Sequence, residues 1–240
     1  TSYGNSKVIL NASFWLAELP PLATTLAATG LSTNEATLRG TVNPQGTSTT
    51  ARFLYGLTTN YGNTSSVTGN FTGTNTTNVS AVVTGLAPGT LYHYLLVATN
   101  SGGSGQGLDQ TFTTWTMLQG WRQTWFGTTN NSGVAADTNV VAGDGLSNLY
   151  KYALGLNPLV AASNPTTVSL SSGFLSLAVK RSNVASGVTY TLESSGNLTN
   201  GWNTNSVVID SNSPALLQGH DTNPIRSSDR RFMRLRVTAP

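Results

Sequence analysis

The chain has 240 residues, no cysteine, a formal net charge of +3 and only 9% charged residues. Threonine, serine and asparagine together make up about a third of it, well above ordinary usage. The missing cysteines exclude disulfide frameworks, thiol nucleophiles, iron–sulfur clusters and cysteine-ligated zinc. Nine carboxylates and two histidines leave little material for acid–base or metal chemistry. The charge is too small for a nucleic-acid partner to be inferred from it, and no run approaches the roughly eighteen apolar residues of a membrane span. The abundance of small hydroxyl residues, the scarcity of Lys and Glu, and the opening Thr1 read as a processed, secreted or cell-surface β chain.

Residues 1–19 form an N-terminal extended segment. Within it Val8-Ile9-Leu10-Asn11-Ala12-Ser13-Phe14-Trp15-Leu16 is apolar and rich in strand formers. Free in water such a stretch is an aggregation hazard, so it is expected to be buried in its own chain or in another subunit. Val8, Ile9, Leu10, Phe14, Trp15 and Leu16 are therefore candidate assembly residues. Added to the open sheet edge of a neighbour, they would bind through main-chain hydrogen bonds and alternate side-chain pockets. Repeated head to tail, that contact builds a filament, a homopolymer of this chain. An extra strand or plug within the same chain fits the segment equally well.

From residue 20 to 114 short alternating runs follow one another, separated by Gly, Asn and Pro turns. Ala36, Leu38, Gly40 and Val42 form one inward set, Phe53 and Tyr55 a second, Val79, Ala81 and Val83 a third, and Tyr92, Tyr94, Leu96 and Ala98 a fourth. Period two with turns every ten or so residues predicts an antiparallel β-sandwich. Leu86-Ala87-Pro88-Gly89-Thr90-Leu91-Tyr92 places a tyrosine at a strand start after a Pro-Gly turn, the pattern of a tyrosine corner. On the other face of that last strand lie His93, Leu95 and Val97. With Leu54 they form a candidate surface contact patch.

With Val42-Asn43-Pro44, Phe53-Leu54-Tyr55-Gly56, the Pro-Gly-Thr-Leu-Tyr turn and Ala98-Thr99-Asn100 in this order, the segment resembles a fibronectin type III domain of the bacterial variety. It lacks the tryptophan that many such domains carry on the second strand, and Leu38 and Val42 are expected to fill that space. The fold itself hosts adhesion, spacing and assembly alike, so it assigns no activity.

Residues 115–160 read as a loop-helix element. Leu118, Trp121 and Trp125 are spaced for one helical face, and Gly127 for a left-handed cap. The tryptophans are read as a packed staple, with sugar stacking as the alternative. The stretch Gly143-Asp144-Gly145-Leu146-Ser147-Asn148-Leu149-Tyr150-Lys151-Tyr152-Ala153-Leu154-Gly155-Leu156-Asn157-Pro158 resembles the calcium-loop-plus-helix element of dockerins and thrombospondin type 3 repeats. That resemblance implies acidic residues at the first and third loop positions and a closing glutamate at the twelfth. Counted from Val140, those positions hold Val140, Ala142 and Lys151, leaving Asp137, Asp144 and Asn148 as a vestigial loop. A lysine ammonium repels a divalent ion, so no metal and no other cofactor is expected, and Val140 and Val141 are expected to pack where calcium would sit.

Residues 161–240 return to alternation and predict a second antiparallel sandwich. Tyr190-Thr191-Leu192-Glu193-Ser194-Ser195, Trp202 and Arg231-Phe232-Met233-Arg234-Leu235 resemble the C-terminal β-sandwich module that follows such loop-helix elements in secreted bacterial proteins. Five arginines from Arg226 to Arg236 form the one charge cluster. It is read as protection of a strand edge, with a surface polysaccharide as the alternative partner. No aromatic platform interleaves them, which argues against nucleic acid.

No phosphate loop, Gly-x-Ser-x-Gly elbow or His-Glu-x-x-His motif occurs, and neither His93 nor His220 has a nucleophile nearby in sequence. The chain therefore reads as a non-enzymatic, mainly β protein of two sandwiches. A structural subunit of an extracellular fibre is the leading function, and an adhesion or carbohydrate-binding accessory module the alternative.

Overall fold

A computed structural model describes residues 18–181, 185–199, 201–226 and 230–240. The assembly residues Val8, Ile9, Leu10, Phe14, Trp15 and Leu16 lie outside them. The chain is mainly β and divides into two compact units. The first takes in the chain up to Leu31, then Glu35–Gly85 and Leu91–Thr113. The second comprises Ser32–Asn34, Leu86–Thr90 and Thr114–Pro240. Among the described residues no helix is long and apolar enough to cross a membrane.

The first unit is built of β1 (Leu22–Thr29), β2 (Glu35–Asn43), β3 (Thr50–Gly56), β4 (Asn63–Ser66), β5 (Thr77–Thr84), β6 (Leu91–Asn100), β7 (Gly103–Gln106) and β8 (Gln110–Thr113). One sheet has the order β1-β2-β5; the other has the order β4-β3-β6, with β7 and β8 sharing the far side of β6. All pairings are antiparallel. Alternation decides which side chains face inward. Ala36, Leu38, Gly40 and Val42 are all buried along β2, and Tyr92, Tyr94, Leu96 and Ala98 along β6. Leu38 and Val42 have no exposed surface.

The two sheets are tied through β1. The Tyr94 hydroxyl donates to the Leu26 carbonyl at 2.6 Å, and the Leu96 amide donates to Thr25 Oγ1 at 3.1 Å. Gly40 has a specific reason to be glycine. A Cβ there would lie 2.6 Å from Leu96 Cδ2 and 2.7 Å from the Thr24 carbonyl, closer than real atoms approach. The Tyr92 ring is buried and stacks on Phe112 with centroids 5.4 Å apart, as the Pro-Gly turn before it led one to expect.

The second unit opens with α1 (Met117–Phe126) and a 3₁₀ turn at Gly133–Ala135, followed by α2 (Asn148–Leu154). Thr116 caps α1 in a capping box with Gln119, and Gly127 ends it in the left-handed region at φ 70°. Ser147 caps α2, and Gly155 ends it at φ 69°. Then come β9 (Thr166–Ser171), β10 (Phe174–Lys180), β11 (Thr189–Ser195), β12 (Val207–Asn212), β13 (Leu216–Asp221) and β14 (Phe232–Thr238). They form a sheet of order β12-β13-β10-β9 and a two-stranded sheet β11-β14. The core cluster joins Leu154 of α2 to Leu177, Val179, Leu192 and Leu217, with Tyr150 and Leu156 packed against it. A division at residue 160 therefore cuts through one core: the loop-helix element supplies side chains that the strands alone do not.

Candidate functional site

The loop expected to be a vestigial calcium site is organised around a lysine. Lys151 is fully buried, and its ammonium lies 2.7 Å from Asp144 Oδ2. It also donates to the Val160 carbonyl at 2.9 Å and the Pro158 carbonyl at 3.5 Å. The Asp144 carboxylate in turn accepts from the Ala162 and Leu146 amides at 2.8 and 3.1 Å. The Lys151 hydrogen bond, helped by those two amides, lowers the Asp144 pKa to about 2. One positive charge surrounded by oxygens thus joins α2, the preceding loop and the segment 158–162. It stands at the position where the resemblance implied an acidic ligand.

The other two expected loop residues have different partners. Asp137 receives Arg122 Nη2 at 2.5 Å and Asn131 Nδ2 at 2.9 Å. Asn148 is fully buried and donates to the carbonyls of Val134 and Ala136 at 2.8 and 2.9 Å. Asp137, Asp144 and Asn148 therefore do not converge on one point. Nor are Val140 and Val141 packed away where an ion was expected: both are 37% exposed. The available sign of Lys151 burial was its setting on a seven-residue helix among Leu149, Tyr150, Tyr152, Ala153 and Leu154, which leave no wide polar face.

The candidate patch on the first unit is corrected. Leu95 and Val97 are 8% and 3% exposed, not outward contacts. Both lie on β6, an interior strand that pairs with β3 along one side and with β7 and β8 along the other. Leu54 and His93 are half-buried. His93 Nδ1 lies 2.8 Å from Asp109 Oδ2, and the Tyr61 hydroxyl donates to Asp109 Oδ1 at 3.0 Å. Asp109, absent from the sequence reading, holds this cluster together from the loop before β8. A similar pair forms on the second unit, where His220 Nδ1 lies 2.8 Å from Asp210.

Trp121, Trp202 and three of the clustered arginines are engaged within the second unit. Trp121 meets Tyr152 and Phe126 edge-on with centroids 5.6 and 5.7 Å apart. Arg231 pairs with buried Asp221 at 2.6 Å. Arg234 and Arg236 reach buried Glu193 at 2.7 and 3.4 Å, and the Arg234 guanidinium lies 4.3 Å over the Trp202 ring. Between the edges of β9 and β14 lies a groove of about 370 Å³ with Val168, Leu177, Met233 and Leu235 in its lining and Tyr150 beside them.

No family model matches the chain, and no curated protein sequence does. Among solved structures, it is similar to the sensor domain of the anti-sigma factor RsgI4 from Pseudobacteroides cellulosolvens. Identity is 21%, coverage is 40% of this chain and 96% of that one, and the TM-score is 0.33. A human fibronectin type III domain, from fibronectin type III domain containing protein 3, is 18% identical over 48% of this chain and 94% of its own, with a TM-score of 0.29. Chicken CNTN1 domains FN1–FN3 are 12% identical over 91% of this chain and 60% of theirs, with a TM-score of 0.31. These likenesses are to fibronectin type III domains and a sensor domain, and at such identities they concern the fold alone.

Proposed function

We propose that the protein is a non-catalytic, secreted or cell-surface structural subunit that polymerises into a fibre, its segment from Val8 to Leu16 adding a strand to the next subunit. The observation that carries this reading is where the described chain enters and leaves the first unit. Leu16 stands two residues before Glu18, whose carboxylate accepts from the Ser101 hydroxyl, while Asn100 Nδ2 donates to the Leu19 carbonyl at 2.9 Å. The described chain therefore enters this unit at the Asn100 end of β6. The chain leaves this unit at the other end, where Thr113 pairs with Leu91. Entry and exit at opposite ends of one sandwich suit a head-to-tail repeat. A surface with few charges offers little electrostatic resistance to self-association.

The loop from Asp137 to Lys151 fits the same reading. We take it as a dockerin- or thrombospondin-type-3-like loop in which the Lys151 ammonium stands in for the metal, so that the unit stays folded whatever the calcium level. Electron microscopy and light scattering of the full chain and of a chain lacking residues 1–17 test the proposal. Filaments are expected from the first and monomers from the second. Monomers in both samples would remove it.

A further inference from the structure

We infer that the acceptor for the N-terminal segment is the β9 edge of the second unit in another copy of this chain. The inference rests on the polymerisation reading above and names its missing half. It begins from a comparison of strand edges. An exposed edge invites pairing unless it is short, bulged, charged or closed beneath. Among the described residues, β4, β7 and β8 are four residues each. Both β1 and β12 carry a register shift, between Leu26 and Thr29 and between Ile209 and Ser211. The β11 edge carries Glu193, and the β14 edge Arg234 and Arg236. The β5 edge is uncharged, but its inward Val79 and Val83 are buried at 6% and 3%, so nothing is left open beneath it.

β9 has none of these protections. Its sequence, Thr-Thr-Val-Ser-Leu-Ser, contains no charge, glycine or proline, and it pairs only with β10. Its register sets Val168 opposite Leu177 and Leu170 opposite Leu175, which puts both on the face that carries the core. Yet Val168 and Leu170 are each 62% exposed, whereas Leu177 is 3% exposed. The core face of the sheet thus runs out into solvent at β9, beside the groove that opens toward Met233 and Leu235 of β14.

The N-terminal segment matches that need. Taken every second residue it reads Val8, Leu10, Ala12, Phe14 and Leu16, apolar throughout, against Ile9, Asn11, Ser13 and Trp15 on the other side. A strand with that alternation pairs with β9 through its backbone and lays its apolar set over the groove. On the polymerisation reading the occupant comes from a second copy, each chain covering the open edge of its neighbour.

The cysteine-free sequence permits a direct test. Chains carrying Leu10→Cys, Ala12→Cys or Phe14→Cys are mixed with full-length Val168→Cys chains under mild oxidation. A disulfide-linked pair of chains is expected with at least one of the three, and none when Val82→Cys on β5 replaces Val168→Cys. In parallel, Val168→Lys places a charge on the edge at an exposed position and leaves the fold intact by circular dichroism. It is expected to raise the concentration needed for assembly by about tenfold or more. Wild-type filaments with no preferred cross-link and normal assembly of Val168→Lys would overturn the β9 acceptor and leave polymerisation standing. A wild-type chain that stays monomeric removes both. Cross-links that form only within a single doubly substituted chain, at high dilution, overturn the second copy.

Discussion

The two units solve the same packing problem with different material. The first buries no charged side chain among its described residues; its buried polar groups are Thr25 and Thr49. The second buries Arg122, Lys151, Glu193 and Asp221, each ion-paired. Its sheets are of four and two strands, and its core depends on a helix and on loops that must be fastened in place. An ion pair in an interior seldom adds much over well-packed apolar groups, but removing one partner leaves an uncompensated charge. The comparison teaches that the first unit is held by alternation and the second by particular charges in particular places.

Experiments can break or sharpen that contrast. Truncation at the core centre should have the largest effect and should not distinguish the units: Leu38→Ala and Leu192→Ala are each expected to cost about 2–5 kcal/mol in chemical denaturation. Acid should separate the units. The Asp144 carboxyl shifts from 3.8 to about 2 on folding. Its contribution is therefore complete above about pH 4 and is lost as pH falls through 2. Trp115, Trp121, Trp125 and Trp202 all lie in the second unit. In a Trp15→Phe chain their emission should report its loss between pH 4 and 2 while the far-ultraviolet β signal of the first unit persists. Simultaneous loss of both signals would contradict the contrast. Lys151→Met should destabilise the second unit and flatten this acid dependence.

Smaller effects follow. Tyr94→Phe removes the hydroxyl that binds the Leu26 carbonyl, and is expected to cost the first unit about 1 kcal/mol. Glu193→Gln leaves Arg234 and Arg236 half in water, so a loss of under about 1 kcal/mol is expected, smaller than that of Lys151→Met. Calorimetric titration of the intact chain with calcium should give no micromolar binding, because the ammonium already holds the oxygens of Asp144, Pro158 and Val160.

Much of this was legible in the order of residues. The four inward sets of the first unit, the caps at Gly127 and Gly155 and the helical stripe through Trp121 follow from period and turn chemistry, which act over a few residues. The patch at Leu95 and Val97 was misread for a related reason. Alternation gives the face on which a side chain lies, but not what neighbouring strands lay over it. Lys151 was understood as a group that repels a metal, but its own burial was not foreseen, because Asp144, Pro158 and Val160 come together around it only when α2 and the following segment pack.

The sequence by itself determined the fold class, the strand faces, the absence of thiol chemistry and the presence of an apolar segment from Val8 to Leu16 that requires cover. Only the tertiary structure decided that Asp137 and Asp144 serve Arg122 and Lys151, that Leu154 belongs to the second core, and that β9 presents Val168 and Leu170 uncovered. The first group depends on contacts between residues close along the chain. The second depends on which distant segments meet, and the free energy of burying a charge or leaving an edge open is settled there.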